Sequence, residues 1–460
     1  MKSKTLDTVT EESVMALSIV KWVSLASVIG GVVGALITLF IKLFDFTLIF
    51  VQQYAFYFLL LPLSLVITSL VTKYLSPDSH GHGTEKVIRS FHKDNGKIRL
   101  RVVPVKVVTT ISTIVFGGSA GPEGPCGQIG AALASSISRL FRFNREDTKK
   151  LIICGVSAGF SVVFGTPIAG AIFSVEVLFM GKLLYSVLLP ALISSMVSFQ
   201  VAQAMGYHYH NYAFSVTQIF DIKIFLLTVL AGLCFGLVSV FFIEVMSFVE
   251  KTVKRIKIPF YIKSFSAGII IILIGYYLSM DYLGLGYEVI NRSLQGGEIL
   301  WYAFLIKIIV TAITLGAGGS GGVLTPLFFV GATSGVLVAD ILGVDRVLFA
   351  ALGFVSVLGG AANTPLAGCV LAIELFGASI APYATIACVI SFFMTGYRSI
   401  FPSQIVSSGK TQSIVLKKGE EIEQFKTRYN YKTRRVMAQG RTSLKRFIKN
   451  QKSNLKSIFF

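Results

Sequence analysis

The sequence predicts an all-α polytopic membrane protein built from two repeats of broken helices. Its 460 residues are 53% hydrophobic and 14% charged, whereas soluble globular chains carry about 25% charged residues. The mean hydropathy is +0.73. Helices satisfy their own backbone hydrogen bonds inside lipid, and apolar stretches of helix-spanning length recur along this chain. They cover roughly residues 18–43, 54–72, 183–204, 222–249, 262–280 and 299–315.

A motif of nine residues occurs twice and divides the chain into two halves. Residues 117–125 read Gly-Gly-Ser-Ala-Gly-Pro-Glu-Gly-Pro, and residues 318–326 read Gly-Gly-Ser-Gly-Gly-Val-Leu-Thr-Pro. A Thr-Pro-x-Ala-Gly segment follows each copy and leads to a glutamate, Glu176 or Glu374, which we interpret as a helix-anchoring group. Short apolar segments interrupted by Gly and Pro at corresponding positions indicate a binding site at the bilayer midplane. Segments too short to span alone are 125–141, 151–164, 168–180, 326–341 and 366–377.

We predict one membrane domain over residues 15–410, with repeats at about 15–204 and 219–410. A polar N-terminal segment, 1–14, precedes it, and a basic tail, 411–460, follows it. The N-terminal segment lacks the apolar core and small-residue cleavage site of a signal peptide. We therefore expect a multi-pass protein of the cell membrane.

Basic residues predict the orientation of the chain. Residues 416–460 hold thirteen Lys and Arg against three Glu, about half of the net excess of +19. The loop 251–258 is also basic, whereas 205–218 has no Lys or Arg. Positive charge favours the cytoplasmic side, so both termini are predicted to be cytoplasmic. We interpret the tail as a solvated segment near anionic lipid, a short helix or disordered, and not as a nucleic-acid binding region.

The cysteines do not form a recognisable framework. All five lie in apolar surroundings and no two have Cys-x-x-Cys spacing. We therefore predict no disulfide, no metal site and no cofactor.

The first motif places a carboxylate at a helix start. Pro125 suits the first turn of a helix, because its missing N–H has no partner there in any case. The free N–H groups and the positive dipole end of that helix attract anions. Glu123, between Gly121 and Gly124, can fill the anion position itself and leave it when protonated or displaced. The alternative, an acidic cap that only stabilises the helix, is less consistent with an ionisable residue at membrane depth.

Two further helix starts resemble anion-binding loops. In the second motif Leu324 replaces the glutamate, so the N–H groups of Val323 and Leu324 are predicted to donate to a permeating anion. In the third, His82 lies between Gly81 and Gly83, ahead of another helix. A histidine there is either an ordinary loop residue or a ligand and pH sensor.

Together these loops and the terminal segment 395–404 resemble the CLC family of chloride channels and chloride/proton antiporters. The order and duplication of the loops make the match specific, and it covers essentially the whole membrane domain. The resemblance implies two inverted-topology repeats of tilted and broken helices, chloride or a similar anion as substrate, and a homodimer with one pathway per subunit. It also implies that Glu123 is the external gating glutamate and that Val323 and Leu324 bind the central anion. His82 takes the place of the family's inner Ser, and Phe401 that of its Tyr.

The chain departs from the family at the position that handles protons. Family antiporters commonly carry an inner glutamate after the residue that aligns with Glu176, and here that position is Val177. Phe401 also lacks the hydroxyl of the family's Tyr. Both changes favour uncoupled, channel-like chloride transport. The alternative is a chloride/proton antiporter with another inner proton route, for which His82 is the candidate.

A different class of function fits one pattern in the sequence. Both motif copies match Gly-x-Ser-x-Gly, around Ser119 and Ser320, which is typical of serine hydrolases. A serine nucleophile needs a base within hydrogen-bond reach. None of the five His lies in an apolar helical segment facing such a site, so we predict that the chain is not an enzyme.

Overall fold

The computed structural model describes residues 2–209, 222–415 and 419–425, together with the backbone of 428–429. The described chain is almost entirely helical. In chain order the helices are α1 (Lys2–Gln52), α2 (Leu61–Leu75), α3 (Gly83–Lys93), α4 (Val102–Val115), α5 (Glu123–Leu140), α6 (Arg145–Phe164), α7 (Pro167–Glu176), α8 (Tyr185–Ala204), α9 (Ile222–Arg255), α10 (Phe260–Tyr277), α11 (Tyr287–Leu294), α12 (Ala303–Gly316), α13 (Leu324–Leu342), α14 (Arg346–Ala361), α15 (Pro365–Phe376) and α16 (Ala381–Thr395).

Seven helical segments of the described chain are long and apolar enough to cross a membrane. This set differs from the sequence-based expectation in three places. Residues 378–395 form a segment that the sequence reasoning did not name. The stretch 299–315 yields only the 14-residue α12, because residues 301–302 form a turn ahead of it. The stretch 326–341, expected to be too short, yields the 19-residue α13, because the helix starts before Pro326. The seven are Glu11–Gln52, Tyr57–Leu75, Tyr185–Ala204, Ile222–Arg255, Phe260–Tyr277, Leu324–Leu342 and Ala378–Thr395.

In each repeat two helices cross at a pair of glycines. A Cβ on Gly130 would lie 2.0 Å from the carbonyl oxygen of Gly155, which joins α5 closely to α6. In the second repeat a Cβ on Gly331 would lie 2.3 Å from the carbonyl oxygen of Gly353, which joins α13 to α14. Small residues allow membrane helices to approach closely. These four helices form the buried centre, and α5 and α13 are the two that begin in the repeated motifs.

The segment after α16 folds back onto the first repeat. Strand β1 (Phe179–Met180) pairs in parallel with β2 (Ile405–Val406), and β3 (Ile414–Val415) pairs antiparallel with β4 (Arg428–Tyr429). The tail after about 410 was expected to be a short helix or disordered; its described part contains the strands β3 and β4 and a 3-10 helix, Ile422–Gln424. Ile422 packs on Met180 and Val406, so apolar contacts hold this segment in place.

Some sequence-based boundaries fall outside the described residues or inside an element. Residues 2–14 belong to the same helix, α1, as the first apolar stretch, so the chain has no break at residue 14. Most of the polar stretch between the repeats, 210–218, and the tail beyond 429 lie outside the described residues.

Candidate anion site

The two copies of the motif are joined directly to each other. The N–H of Gly121 donates to the carbonyl oxygen of Gly322 at 2.9 Å, and the N–H of Gly322 donates to that of Gly121 at 2.6 Å. A Cβ on Gly322 would lie 2.7 Å from the backbone nitrogen of Gly124. The repeat identified in the sequence is therefore one site, in which the loops of the two halves form a short backbone pair.

Hydrogen bonds between serine and threonine side chains hold the two motif loops in place. Ser119 Oγ lies 2.8 Å from Thr311 Oγ1, and the Ser119 N–H donates to Thr314 Oγ1 at 3.2 Å. In the other copy, Thr109 Oγ1 donates to Ser320 Oγ at 3.0 Å. Each serine thus has a threonine partner from the opposite half, and no imidazole or carboxylate bonds to either serine in the described chain. The pattern that suggested a hydrolase has a structural explanation.

The Glu123 side chain lies on the helix of the other repeat. It is 2% exposed, and its carboxylate accepts a hydrogen bond from the Thr325 N–H, with 3.4 Å between nitrogen and Oε2. The Thr325 hydroxyl also donates to the carboxylate. These donors belong to the first turn of α13, where unpaired N–H groups and the helix dipole attract negative charge. The carboxylate of the first repeat therefore lies at the anion-binding end of the second.

The donor to Glu123 is a residue that sequence reasoning did not name. Val323 and Leu324 were predicted to donate to a permeating anion, and the contact to Glu123 is made by Thr325, one residue further on. Val323 and Leu324 are buried beside it, and anion binding by their N–H groups stays a prediction. The signal for Thr325 was present in the motif, since its hydroxyl is the one polar side chain between Gly322 and Pro326.

Gly121 leaves the space that the carboxylate occupies. A Cβ at this position would lie 2.1 Å from Glu123 Oε2 and 2.3 Å from Thr325 Oγ1. Contacts that short do not occur in real structures, so any larger residue must displace the glutamate or the threonine. The glycine two residues ahead of Glu123 thus has a steric role.

The third loop lies against the first. A Cβ on Gly83 would lie 2.2 Å from the carbonyl oxygen of Gly124. Gly81 has a φ of 77°, which favours glycine. The His82 ring centroid is 6.5 Å from that of the fully buried Phe401, with the rings inclined at 62°. The structure therefore brings together the residues that the motifs assigned to the inner end. His82 Nδ1 is buried and has no hydrogen-bond partner within the described part of the chain.

Sequence reasoning missed a pair of buried lysines. Lys106 Nζ donates to the carbonyl oxygen of Ser79 at 3.0 Å and to that of Gly81 at 2.7 Å. Lys307 Nζ bonds in the same way to the loop ahead of α11. Both lysines are fully buried and stand at matching positions of the two repeats. A buried cation at membrane depth is costly, and it creates a positive potential that favours an anion nearby. The matching positions in apolar segments were the available signal.

Val177 cannot exchange protons. Its side chain is 2% exposed and lines a small, largely apolar cavity together with Thr84 and Val87. Its carbonyl oxygen accepts a hydrogen bond from Gln404 Nε2 at 2.7 Å. The position that departs from the antiporter pattern is therefore buried, and its backbone is tied to the segment that follows Phe401.

This arrangement defines a class of protein: a multi-pass helical membrane protein in which the helix N-termini of two repeats meet at a buried centre. The chain belongs to the voltage-gated chloride channel family, whose model matches residues 63–396. It is 35% identical over 399 residues to a chloride/fluoride channel protein of Pseudomonas syringae pv. tomato, covering 85% of this chain and 88% of that protein. It is 28% identical over 303 residues to the voltage-gated ClC-type chloride channel ClcB of Escherichia coli, covering 62% of this chain and 71% of that one.

Solved structures show the same fold. A CLC-type fluoride/proton antiporter matches 85% of this chain and 99% of its own, with 31% identity and a TM-score of 0.81. A slow cyanobacterial Cl⁻/H⁺ antiporter shares the fold at 18% identity, with a TM-score of 0.73 over 83% of this chain and 96% of its own. The predicted family, helical fold and membrane location are confirmed. The protein is an anion transporter or channel and not an enzyme.

Proposed function

We propose that the protein exchanges a small anion for protons, that fluoride is its best-supported substrate, and that Glu123 is the gate. One observation carries the proposal: the Glu123 carboxylate lies on the first turn of α13, the end of the helix that attracts anions. An anion that binds there must displace the carboxylate, since both use the same donors.

Competition between the anion and the Glu123 carboxylate couples the movement of the anion to the movement of a proton. A proton on Glu123 removes the charge that holds its side chain on α13, so the protonated side chain leaves and an anion takes its place. When the anion moves on, the side chain loses its proton and returns to the donors. Each exchange then moves a proton and an anion in opposite directions. The buried position of Glu123 excludes water that would otherwise screen this competition.

The choice of fluoride rests on the relatives and on the local donors. A relative named as a chloride/fluoride channel and a structural neighbour named as a fluoride/proton antiporter are both more than 30% identical to this chain. The Thr325 N–H, in the first turn of α13, is a donor that a small anion can take over from the carboxylate. Chloride, the substrate suggested by the motifs, is the alternative.

Uncoupled conduction by the same site is the second candidate. Val177 carries no proton, and Phe401 brings no hydroxyl to the inner end of the route. The relative from Pseudomonas syringae pv. tomato is named as a channel. In this candidate Glu123 still gates the pathway, but the anion moves without proton counterflow.

The test is ion flux from liposomes that contain the purified full-length protein, with anion and pH recorded together. A fluoride gradient should drive protons uphill in the wild type, and Glu123→Gln should pass fluoride without protons. A parallel chloride gradient ranks the two anions. Wild-type fluoride flux with no proton movement would favour the channel candidate. Absence of both fluoride and chloride flux would overturn the proposal.

We also propose a homodimer with one pathway per subunit and with both termini in the cytoplasm. The support is the family relationship and the basic charge of the loop 251–258. Chemical cross-linking in membranes tests the dimer, and cysteine labelling from each side of the membrane tests the orientation. Monomers throughout, or labelling of loop 251–258 from outside, would contradict this proposal.

A further inference from the structure

The inner end of the anion route carries an acidic side chain, Glu85, that the gate does not use. It stands in the first turn of α3, three residues after His82. Its Oε1 lies 3.1 Å from the Ser403 nitrogen, and the Ser403 hydroxyl also donates to it. Ser403 follows Phe401 by two residues, so Glu85 is bonded to the loop that carries the buried aromatic ring.

The loop that carries Ser403 also bonds to Val177, the position at which family antiporters commonly carry the inner glutamate. Gln404, the residue after Ser403, donates through Nε2 to the carbonyl oxygens of Val177 and Ala362, both at 2.7 Å. Consecutive residues of one loop thus bond to Glu85 and to Val177. The Val177 side chain and the Thr84 side chain, next to Glu85, also line one cavity. Glu85 therefore lies in the neighbourhood of Val177, on a different helix.

Charge places this neighbourhood on the cytoplasmic side. Residues 86–101 hold six Lys and Arg against one Asp, and positively charged loops face the cytoplasm. Helix α3, with 11 residues, is not among the segments of the described chain that are long and apolar enough to cross a membrane. A carboxyl in its first turn can exchange protons with cytoplasmic water on one side and face the anion route on the other.

The surroundings of Glu85 allow both protonation states near neutral pH. Burial raises the pKa of Glu85 to about 7, and the hydrogen bonds from Ser403 act in the opposite direction. The other charged groups that act on it are Glu423 of the C-terminal segment, which favours the protonated form, and Lys86 of its own helix, which favours the ionised form. A proton carrier works best when its pKa lies near the working pH.

We propose that Glu85 is the inner proton-carrying residue of this protein, an inference that rests on the proposed proton exchange. The Glu85 carboxylate takes a proton from cytoplasmic water and becomes a carboxylic acid. It then releases that proton into the anion route, where the Glu123 carboxylate accepts it. Reverse transport runs the same two transfers backwards. A chain with Val at position 177 thus retains a titratable group on each side of its anion site.

The decisive variant is Glu85→Gln, measured in full-length protein in liposomes under a fluoride gradient. The amide oxygen can still accept from Ser403, so the loop keeps a partner, but the side chain cannot carry a proton. We expect fluoride flux to persist while proton flux falls by about a hundredfold, the size of effect typical for loss of a proton-transfer group. A purely structural role would not change the ratio of protons to fluoride.

Two controls separate the Glu85 carboxyl from carboxyls elsewhere on the protein. Glu298→Gln and Glu146→Gln each remove an exposed carboxyl outside this neighbourhood. Both should keep the wild-type ratio of protons to fluoride. A Glu85→Gln protein that also keeps this ratio would overturn the inference, as would equal loss of both fluxes. A wild type that moves fluoride without protons would instead overturn the proposed exchange itself, so the two failures are distinguishable.

Discussion

Glu176 and Glu374 lie in different repeats, and each caps the N-terminus of the helix that carries the other. Glu176 ends α7 and its carboxylate binds the first amides of α15, whereas Glu374, in α15, binds the first amides of α7. The four bonds join Glu176 to Leu366 N (3.2 Å) and Ala367 N (2.8 Å), and Glu374 to Ile168 N (3.0 Å) and Ala169 N (2.7 Å). The two helices therefore fix each other's starting points across the boundary between the halves.

Loss of either cap should destabilise the protein. Glu176→Ala removes two charge-assisted hydrogen bonds at a buried helix start, where a lost cap costs about 1–2 kcal/mol. Glu374→Ala should have a smaller effect, since Glu374 is more exposed than Glu176. The measurement is the melting temperature in detergent, with Glu298→Ala, at an exposed glutamate, as the control. Equal melting temperatures for Glu176→Ala and the control would show that the caps do not contribute.

Glu123→Gln should abolish the pH dependence of anion flux. The amide cannot ionise, so it does not return to α13 as a competing anion. Flux is measured between about pH 4 and 8, a window that begins near the reference carboxyl pKa of about 4.3 and allows for burial. If wild type and variant respond to pH in the same way, Glu123 is not the gate.

Thr325→Val should weaken the binding of the Glu123 side chain to the first turn of α13. The hydroxyl donates to a carboxylate, and loss of a hydrogen bond to a charged group costs about 1.5–3 kcal/mol. Free anion should then compete about tenfold better at neutral pH, as measured by calorimetry. Thr325→Ser keeps the hydroxyl and is the matched control. Unchanged affinity in the valine variant would mean that the backbone N–H alone positions Glu123.

Gly121→Ala should displace the Glu123 carboxylate without removing it. The added methyl group would overlap Oε2, and the side chain is the most movable neighbour. We expect anion flux at neutral pH to rise and its pH dependence to decrease. Gly31→Ala is the control, since a Cβ there meets nothing within 4 Å. Wild-type pH dependence in a folded Gly121→Ala protein would contradict the assigned position of the carboxylate.

The pH on the cytoplasmic side should control proton flux through Glu85. With its pKa raised to about 7, this carboxyl is protonated below that pH and ionised above it. Outward proton supply should therefore decrease as the internal pH rises through about 7. Stopped-flow recording at fixed external pH measures it, and Glu85→Gln should remove the transition. A transition that survives in that variant would show that Glu85 is not the titrating group.

Motif spacing predicted the contact between the two glycine loops better than the contacts around Glu85 and Ser403. The two glycine loops and the buried glutamate follow from short motifs that each fold locally, whereas the proximity of His82 to Phe401 was implied by the resemblance to the CLC family. The contact between Glu85 and Ser403 joins residues 318 positions apart, and no periodicity marks it. The strands of the C-terminal segment were missed for a related reason: β2 is only two residues long and its partner, β1, lies in the first repeat.

Because Ser403 and Gln404 bond to Glu85 and Val177, the order of synthesis matters. The ribosome makes the spanning helices of the described chain before it makes the loop that bonds to Val177 and Glu85. A nascent chain that has inserted these helices still lacks both contacts. The contacts therefore form last, and chains released early near residue 400 carry the described spanning helices but lack the bonds that join the two ends of the sequence.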